Sequence, residues 1–329
     1  MDREFHYWVT GLIAEYAGFS PKDCRTIAYS SQYTDDNNVT IEVYANDAAP
    51  EPSFRTHVSQ TENILKPQRE ILNIYPIFHF IPGDMAKAPA RKDGQTYPLI
   101  TTPDSSHANK IFAYTLSNSV SRYLAKDRRC LYRVGLAAHS YVDTWAHQNF
   151  CGYYSDMNGL PGVLLPDIGH FDAMHNPDMV NHQWTDDRLV NSIIINNDRF
   201  IAAAKRLYGY FVAFCAQINC SPRGSWEDLE NLLLFIWKKD KDDRIKNYRK
   251  ATKHVKGYDE RLWINEATEL IEVEDISTEN TRVEKRVWQD PVNYVKTDWY
   301  GFQEEVKGHI ADATTILRPV FREAGFEFV

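Results

Sequence analysis

His139, Asp143 and His147 stand four residues apart in the segment Gly135-Leu-Ala-Ala-His139-Ser-Tyr-Val-Asp143-Thr-Trp-Ala-His147-Gln-Asn-Phe150. On an α-helix that spacing sets the three side chains above one another along a single face. Imidazole nitrogens and carboxylate oxygens are ligands that zinc and similar divalent ions accept. His139 and Asp143 can grip one ion, while the second Asp143 oxygen bridges to another that His147 also reaches, the two ions lying about 3.5–4 Å apart. Paired ions at that distance suit the hydrolysis of phosphate esters. As ordinary helix residues, the three would be costly to bury unpartnered among Ala, Leu, Val and Trp.

Other ligand types recur along the chain. His6 shares a helical face with Val9 and Ile13, Asp35 and Asp36 close a second helical segment, and His79 sits inside Ile77-Phe-His-Phe-Ile81. His170, Asp172 and Asp178 follow a long loop in Ile168-Gly-His170-Phe-Asp172-Ala-Met-His175-Asn-Pro-Asp178. Any one of them alone reads more simply as a satisfied polar residue. Together they supply enough donors for a site of two or three metals that the His139 helix cannot close by itself. Other hydrolytic chemistries fit less well: the sequence has no His-Asp dipeptide, no HExxH and no Gly-rich phosphate loop, and Ser140 lacks the flanking glycines of a nucleophile elbow.

These residues need a scaffold. Phe5, Trp8, Val9, Leu12, Ile13 and Tyr16 recur at helical spacing over residues 5–17, and Ser20-Pro21-Lys22-Asp23 opens a helix over residues 21–33, so the first segment reads as a helical hairpin hinged at Gly18. Residues 107–126, 129–150 and 198–217 repeat the helical period, and Ser225 caps a further helix. Residues 39–44 alternate as a strand, 74–81 form an apolar run, and neither implies a large sheet. Residues 84–106 and 152–178 read as long loops of the functional kind. The expected fold is mainly α: a multi-helix bundle with long loops and a minor β hairpin. A metal-site helical domain over residues 1–225 would carry a charged helical extension over 226–329, packed on it or continuous with it.

The constellation resembles the zinc-dependent phospholipase C and single-strand nuclease superfamily, and more closely a bacterial family of uncharacterised cytosolic proteins on that scaffold. The matching words are Phe5-His6-Tyr7, Arg25-Thr-Ile-Ala-Tyr-Ser-Ser-Gln-Tyr-Thr-Asp35-Asp36, Phe78-His79-Phe80-Ile-Pro-Gly83, the His139 to Phe150 motif and Ile168-Gly-His170, which span roughly the first 180 residues. The resemblance implies His6, Asp35, His79, His139, Asp143, His147 and His170 as metal ligands, with Asp143 bridging and Asp172 or Asp178 completing the set. Secreted members ligate metal with a processed amino terminus, a place that the Asp2 carboxylate could take here.

The expected activity is a metal-dependent hydrolase acting on phosphoric esters. Two or three zinc ions, or other divalent metals, would activate water, and Asp36 would orient it as general base. A phosphoester-containing small molecule, a lipid headgroup or a nucleic acid is the expected partner. A metal-stabilised, non-catalytic scaffold or binding protein is the alternative.

Composition agrees with a folded chain: of 329 residues, 43% are hydrophobic and 25% charged, and the net charge of -8 argues against indiscriminate attraction to nucleic acid or anionic membranes. Nine Lys or Arg against three Asp over residues 238–256 read first as a solvated helix face and second as a steering surface for anions. No apolar stretch is long enough to span a bilayer. The acidic start, Met1-Asp2-Arg3-Glu4, is unlike a secretory signal, and five cysteines without a CxxC pair fit reduced thiols, so a cytoplasmic location is expected.

Overall fold

Helical periodicity builds most of the molecule, as a computed structural model shows for residues 1–61, 71–163, 167–252, 255–276 and 281–326. A π-helical turn, Glu4–Val9, runs into α1 (Thr10–Ala17), and Gly18 ends it at φ 111°, a conformation open to glycine. After that hinge, Ser20 caps α2 (Pro21–Asp36) by accepting from the Asp23 backbone N–H. Two long helices follow, α4 (Ser106–Leu124) and α5 (Cys130–Ala146), after a single turn, α3 (Tyr75–Phe78), that lies within the apolar run expected at residues 74–81. The chain continues through α6 (Asn196–Gln217), α7 (Trp226–Trp237), α8 (Lys241–Ala251), α9 (Leu262–Ala267) and α10 (Asp298–Glu323).

The expectation of a mainly α bundle with a minor hairpin is overturned: the molecule is 53% helix and 11% strand, an α/β mixture. Strands β1 (Thr40–Tyr44), β2 (Phe54–Arg55), β5 (Thr268–Ile276) and β6 (Thr281–Trp288) form one mixed sheet in the order β2-β1-β6-β5, with β1 and β6 parallel and the other pairs antiparallel. A second sheet pairs β3 (Gln183–Thr185) with β4 (Ile193–Ile195). The strand expected at residues 39–44 is present, but its principal neighbour comes from the segment read as charged helix. The cause is chemical. β6 buries Glu284 and Arg286, and Arg286 donates to Glu284 Oε2 at 2.9 Å, to Thr268 Oγ1 and to Asn265 Oδ1. A strand whose interior face is an ion pair lacks the apolar alternation by which buried strands are recognised.

The large core draws on both ends of the chain, from Phe5 and Leu12 through Tyr141 and Phe211 to Trp299 and Phe321. Helix α5 lies at its centre and is buried along its whole length. Gly135 makes that position attainable: a Cβ there would stand 2.4 Å from the Ile27 carbonyl oxygen and 2.6 Å from Ser30 Cβ. With hydrogen in that place, α2 and α5 pack backbone against side chain one turn before His139. In the basic run, Arg244 is buried against Glu4 and Arg249 lies over the Trp8 ring, while residues 253 and 254 lie outside those described. Among the described residues, no helix is long and apolar enough to cross a membrane.

Candidate metal centre

Five separate segments deliver the ligand-type side chains to one buried place. His6 comes from the π-helical turn, Asp35 from the last turn of α2, His79 from the C-cap of α3, and His139 and Asp143 from α5, with His147 as its C-cap. His170 precedes a 3-10 turn, Phe171–Ala173, and Asp178 follows that turn. Gly169, at φ 52°, packs where a Cβ would meet the Phe80 ring at 2.6 Å, so the loop can press His170 towards His147.

Among the described residues three groups of potential ligands result: His6, Asp35 and His139; His79, His139 and Asp143; and His147, His170 and Asp178, with the ligand atoms of each group within 4.8 Å of one another. Asp143 joins them. Its Oδ2 lies 3.2 Å from both His79 Nδ1 and His139 Nε2, and its Oδ1 lies 3.0 Å from His6 Nε2. Asp35 Oδ1 stands 3.6 Å from His139 Nε2 and 3.8 Å from His79 Nδ1. Asp178 places Oδ1 3.0 Å from His147 Nε2 and Oδ2 3.3 Å from His170 Nε2. Solvent reaches the cluster mainly at Asp35 and His170, whose side chains are 26% and 20% exposed, whereas His6 and His139 are fully buried.

The far side of each ring fixes its proton. His139 Nδ1 donates to the Ser31 carbonyl at 2.8 Å, His79 Nε2 to Ser59 at 2.9 Å, His147 Nδ1 to His79 at 2.8 Å and His170 Nδ1 to Met174 at 2.8 Å. A neutral imidazole with one nitrogen protonated presents a lone pair on the other. The four lone pairs therefore point at carboxylate oxygens, which also carry lone pairs, and His139 Nε2 and His79 Nδ1 face each other at 3.2 Å. Burial holds His139 and His170 near pKa 4, so at these two rings protonation does not relieve the opposition at neutral pH. His6 stacks on His139 with ring centroids 3.8 Å apart, and neither of its nitrogens has hydrogen-bond geometry to a partner among the described residues. Donors of this kind converging around carboxylates fit a divalent cation.

Burial opposes ionisation of Asp143 and Asp178, yet His147 chiefly for the first and His170 for the second hold both carboxyls well below the usual range. Asp35 moves the other way: burial, and then Asp143 beside it, push its carboxyl well up. The α-amino nitrogen of Met1 lies 2.6 Å from Asp143 Oδ1, 3.1 Å from Asp178 Oδ1 and 3.4 Å from His147 Nε2. Burial lowers its pKa, but Asp143, Asp178 and Asp35 outweigh that and raise it to about 11.

Eight of the ten residues singled out from the sequence thus meet: His6, Asp35, His79, His139, Asp143, His147, His170 and Asp178. Asp172 does not join them, because its Oδ2 accepts from the Leu160 backbone N–H at 2.9 Å. Asp36 is also engaged elsewhere, accepting from Tyr258 Oη at 2.6 Å and Gln32 Nε2 at 3.0 Å, so its placement lends no support to a general-base role. Asp2 Oδ1 accepts from the Glu4 backbone N–H at 3.0 Å, and burial, with Glu4 beside it, raises its carboxyl to about 7. The carbonyls of Ser31, Ser59 and Met174 went unseen in the sequence because a backbone acceptor leaves no trace in residue identity.

The chain belongs to a family of unknown function, DUF6765, whose match covers residues 1–317. No curated protein and no solved structure matches it.

Proposed function

We propose that this protein is a metal-dependent hydrolase of phosphoric esters, with a His/Asp centre for two or three divalent ions, zinc foremost. The observation that carries the reading is the set of four histidines whose ring N–H groups are committed to backbone carbonyls while their lone pairs face Asp35, Asp143 and Asp178. A coordinating histidine ordinarily donates its other N–H to such an acceptor, which fixes both tautomer and aim. His79, His139, Asp143 and Asp35 would hold one ion, His147, His170 and Asp178 a second, and His6 stands where a further ion or the Asp143 bridge would engage it. Bound together, such ions polarise phosphoryl oxygens and bring the pKa of a bound water close to neutrality. A phosphate ester of a small molecule, lipid headgroup or nucleic acid would reach the cluster at Asp35 or His170, its most exposed side chains.

The resemblance to the phospholipase C and nuclease superfamily agrees with this reading, as does the order of the matching words. A cytoplasmic location belongs to the same proposal and is supported by five cysteines that are all free, four of them buried. The deep burial of His6, His139 and Asp143 favours a second reading, in which the metals only cross-link the fold.

Elemental analysis of protein purified without chelators, followed by assays on bis-p-nitrophenyl phosphate, nucleotides, single-stranded nucleic acid and phosphatidylcholine, separates these readings. Two or more ions per chain with metal-dependent hydrolysis are expected, and Asp143→Ala should remove at least one ion. Metal without hydrolysis of any ester between pH 5 and 9 leaves the scaffold reading; folded protein that takes up no metal rejects both.

A further inference from the structure

We propose that Gln303, on the carboxyl-terminal helix, is a positioning residue for His79, so that α10 sets the aim of one ligand in the metal centre. The inference rests on the metal-centre reading above but concerns a residue that itself bonds to His57 and Asn37 and to none of the ligand side chains.

Gln303 is fully buried in the second turn of α10. Its Oε1 accepts from the His57 backbone N–H at 2.9 Å, and its Nε2 donates to Asn37 Oδ1 at 2.8 Å. Asn37 is the C-cap of α2, two residues after Asp35, and its Nδ2 donates to the His57 carbonyl at 2.8 Å and to Ser59 Oγ at 3.1 Å. Ser59 is tied twice more, through its N–H to the Asn37 carbonyl at 3.1 Å and through its hydroxyl to the Thr34 carbonyl at 2.7 Å. Its own carbonyl accepts the Nε2–H of His79.

Each step of this relay has a defined donor and acceptor, so the amide orientations are set. Asn37 must turn its oxygen to Gln303 because its nitrogen is needed by His57 and Ser59. Gln303 must present nitrogen to Asn37 because its oxygen is needed by the His57 N–H. The far end of the relay fixes the proton on His79 Nε2 and leaves Nδ1 facing Asp35, Asp143 and His139. The same helix touches the His79 turn again, where His309 lies against Phe78 at 5.4 Å between ring centroids and Nε2 approaches the Ile77 carbonyl at 3.4 Å. Outer groups that orient a ligating histidine typically change metal affinity by about 10–100-fold when removed.

Gln303→Glu tests the relay with almost no change of volume, because it replaces the donor facing Asn37 Oδ1 with an acceptor. Zinc affinity should be read by chelator competition, the ligand field by the visible absorption of the cobalt-substituted protein, and apo-protein stability by urea denaturation. A loss of about tenfold or more in zinc affinity and a changed cobalt spectrum are expected. In a His79→Ala background the same substitution should have no further effect on affinity. Lower apo stability with unchanged affinity and spectrum would reduce Gln303 to a packing residue, and an equal loss in the His79→Ala background would show that its effect does not pass through His79. If Gln303→Glu does not fold, nitrogen NMR of the imidazoles in the metal-free wild type still decides: a proton on His79 Nε2 is required, and one on Nδ1 overturns the proposal. That measurement needs no bound metal, so it fails or succeeds independently of the hydrolase reading.

Discussion

The hydroxyl of Tyr258 donates to Oδ2 of Asp36 across 2.6 Å and so ties the chain after α8 to the last residue of α2. Gln32 donates to the same oxygen, whereas the neighbouring Asp35 faces His79 and His139. Two adjacent aspartates therefore have separable roles. Asp35→Asn should reduce metal content, because an amide lacks the charge that a carboxylate brings to a dication. Asp36→Asn should leave metal content intact and cost about 1 kcal/mol of stability, the worth of a typical hydrogen bond. Any phosphodiesterase rate should fall by much less than the two to four decades that removal of a general base produces. Elemental analysis and steady-state rates on the two variants check this, and a rate loss of roughly a thousandfold in Asp36→Asn at full metal loading would restore it as the base.

Gly135 sets the distance between α2 and α5, and through it the bond from His139 to the Ser31 carbonyl. Gly135→Ala must move the Ile27 carbonyl or Ser30, a form of overpacking that typically costs about 1–3 kcal/mol despite the better helix propensity of alanine. Denaturation of the metal-free variant should show that loss, with weaker zinc binding beside it. Stability equal to or above wild type would mean that the two helices separate without strain.

His309, which packs on Phe78 beside the His79 turn but belongs to none of the ligand groups, provides a pH test. Burial, reinforced by Arg133, pushes its imidazole well below the ordinary range, so the folded protein holds it neutral while the unfolded chain titrates near about 6.5. Below that pH the unfolded state binds more protons, so the stability contributed by neutral His309 is complete above about 6.5 and declines as pH falls. The limiting slope is about 1.4 kcal/mol per pH unit for each such proton. In metal-free protein, His309→Leu should therefore flatten stability against pH between 6 and 5 by close to one proton. An unchanged slope would show that His309 is protonated in the fold.

The legibility of this chain divides along physical lines. Periodicity exposed α2, α4 and α6 to within a few residues because each turns one apolar stripe inward, and in α5, which is buried all round, the spacing of four exposed His139, Asp143 and His147. His6 was legible as an inward residue, but the π-helical turn that presents it was not, since its extra residue per turn disturbs no composition signal. Asp178 was distinguishable from Asp172 only in three dimensions, where one meets His147 and His170 and the other caps a loop through Leu160. The sheet was hidden for a different reason. Its central strand carries Glu284 and Arg286 on the inside, a pattern that reads as solvated until the partners from α9 and β5 are seen.

Arg286 is where that hidden sheet can be tested. Only 2% of the residue is exposed, and its guanidinium satisfies Glu284, Thr268 and Asn265 at once. Arg286→Ala removes all three bonds and leaves the Glu284 carboxylate buried with Arg261 as its principal remaining cation. Breaking a buried pair from one side costs about 3–5 kcal/mol when the surviving charge is left alone. Arg261 still pairs with Glu284, so the loss here should be nearer the roughly 1.5–3 kcal/mol of hydrogen bonds to a charged group. The double variant Arg286→Met with Glu284→Met removes both charges and keeps most of the volume, and replacing a buried pair by apolar groups is often neutral. It should therefore be more stable than Arg286→Ala, even though Arg261, which is partly exposed, must then be solvated by water. Urea denaturation of the metal-free proteins measures both. A cost below about 1 kcal/mol for Arg286→Ala would mean that the strand holds its place without the ion pair, and that its charges are incidental to the sheet.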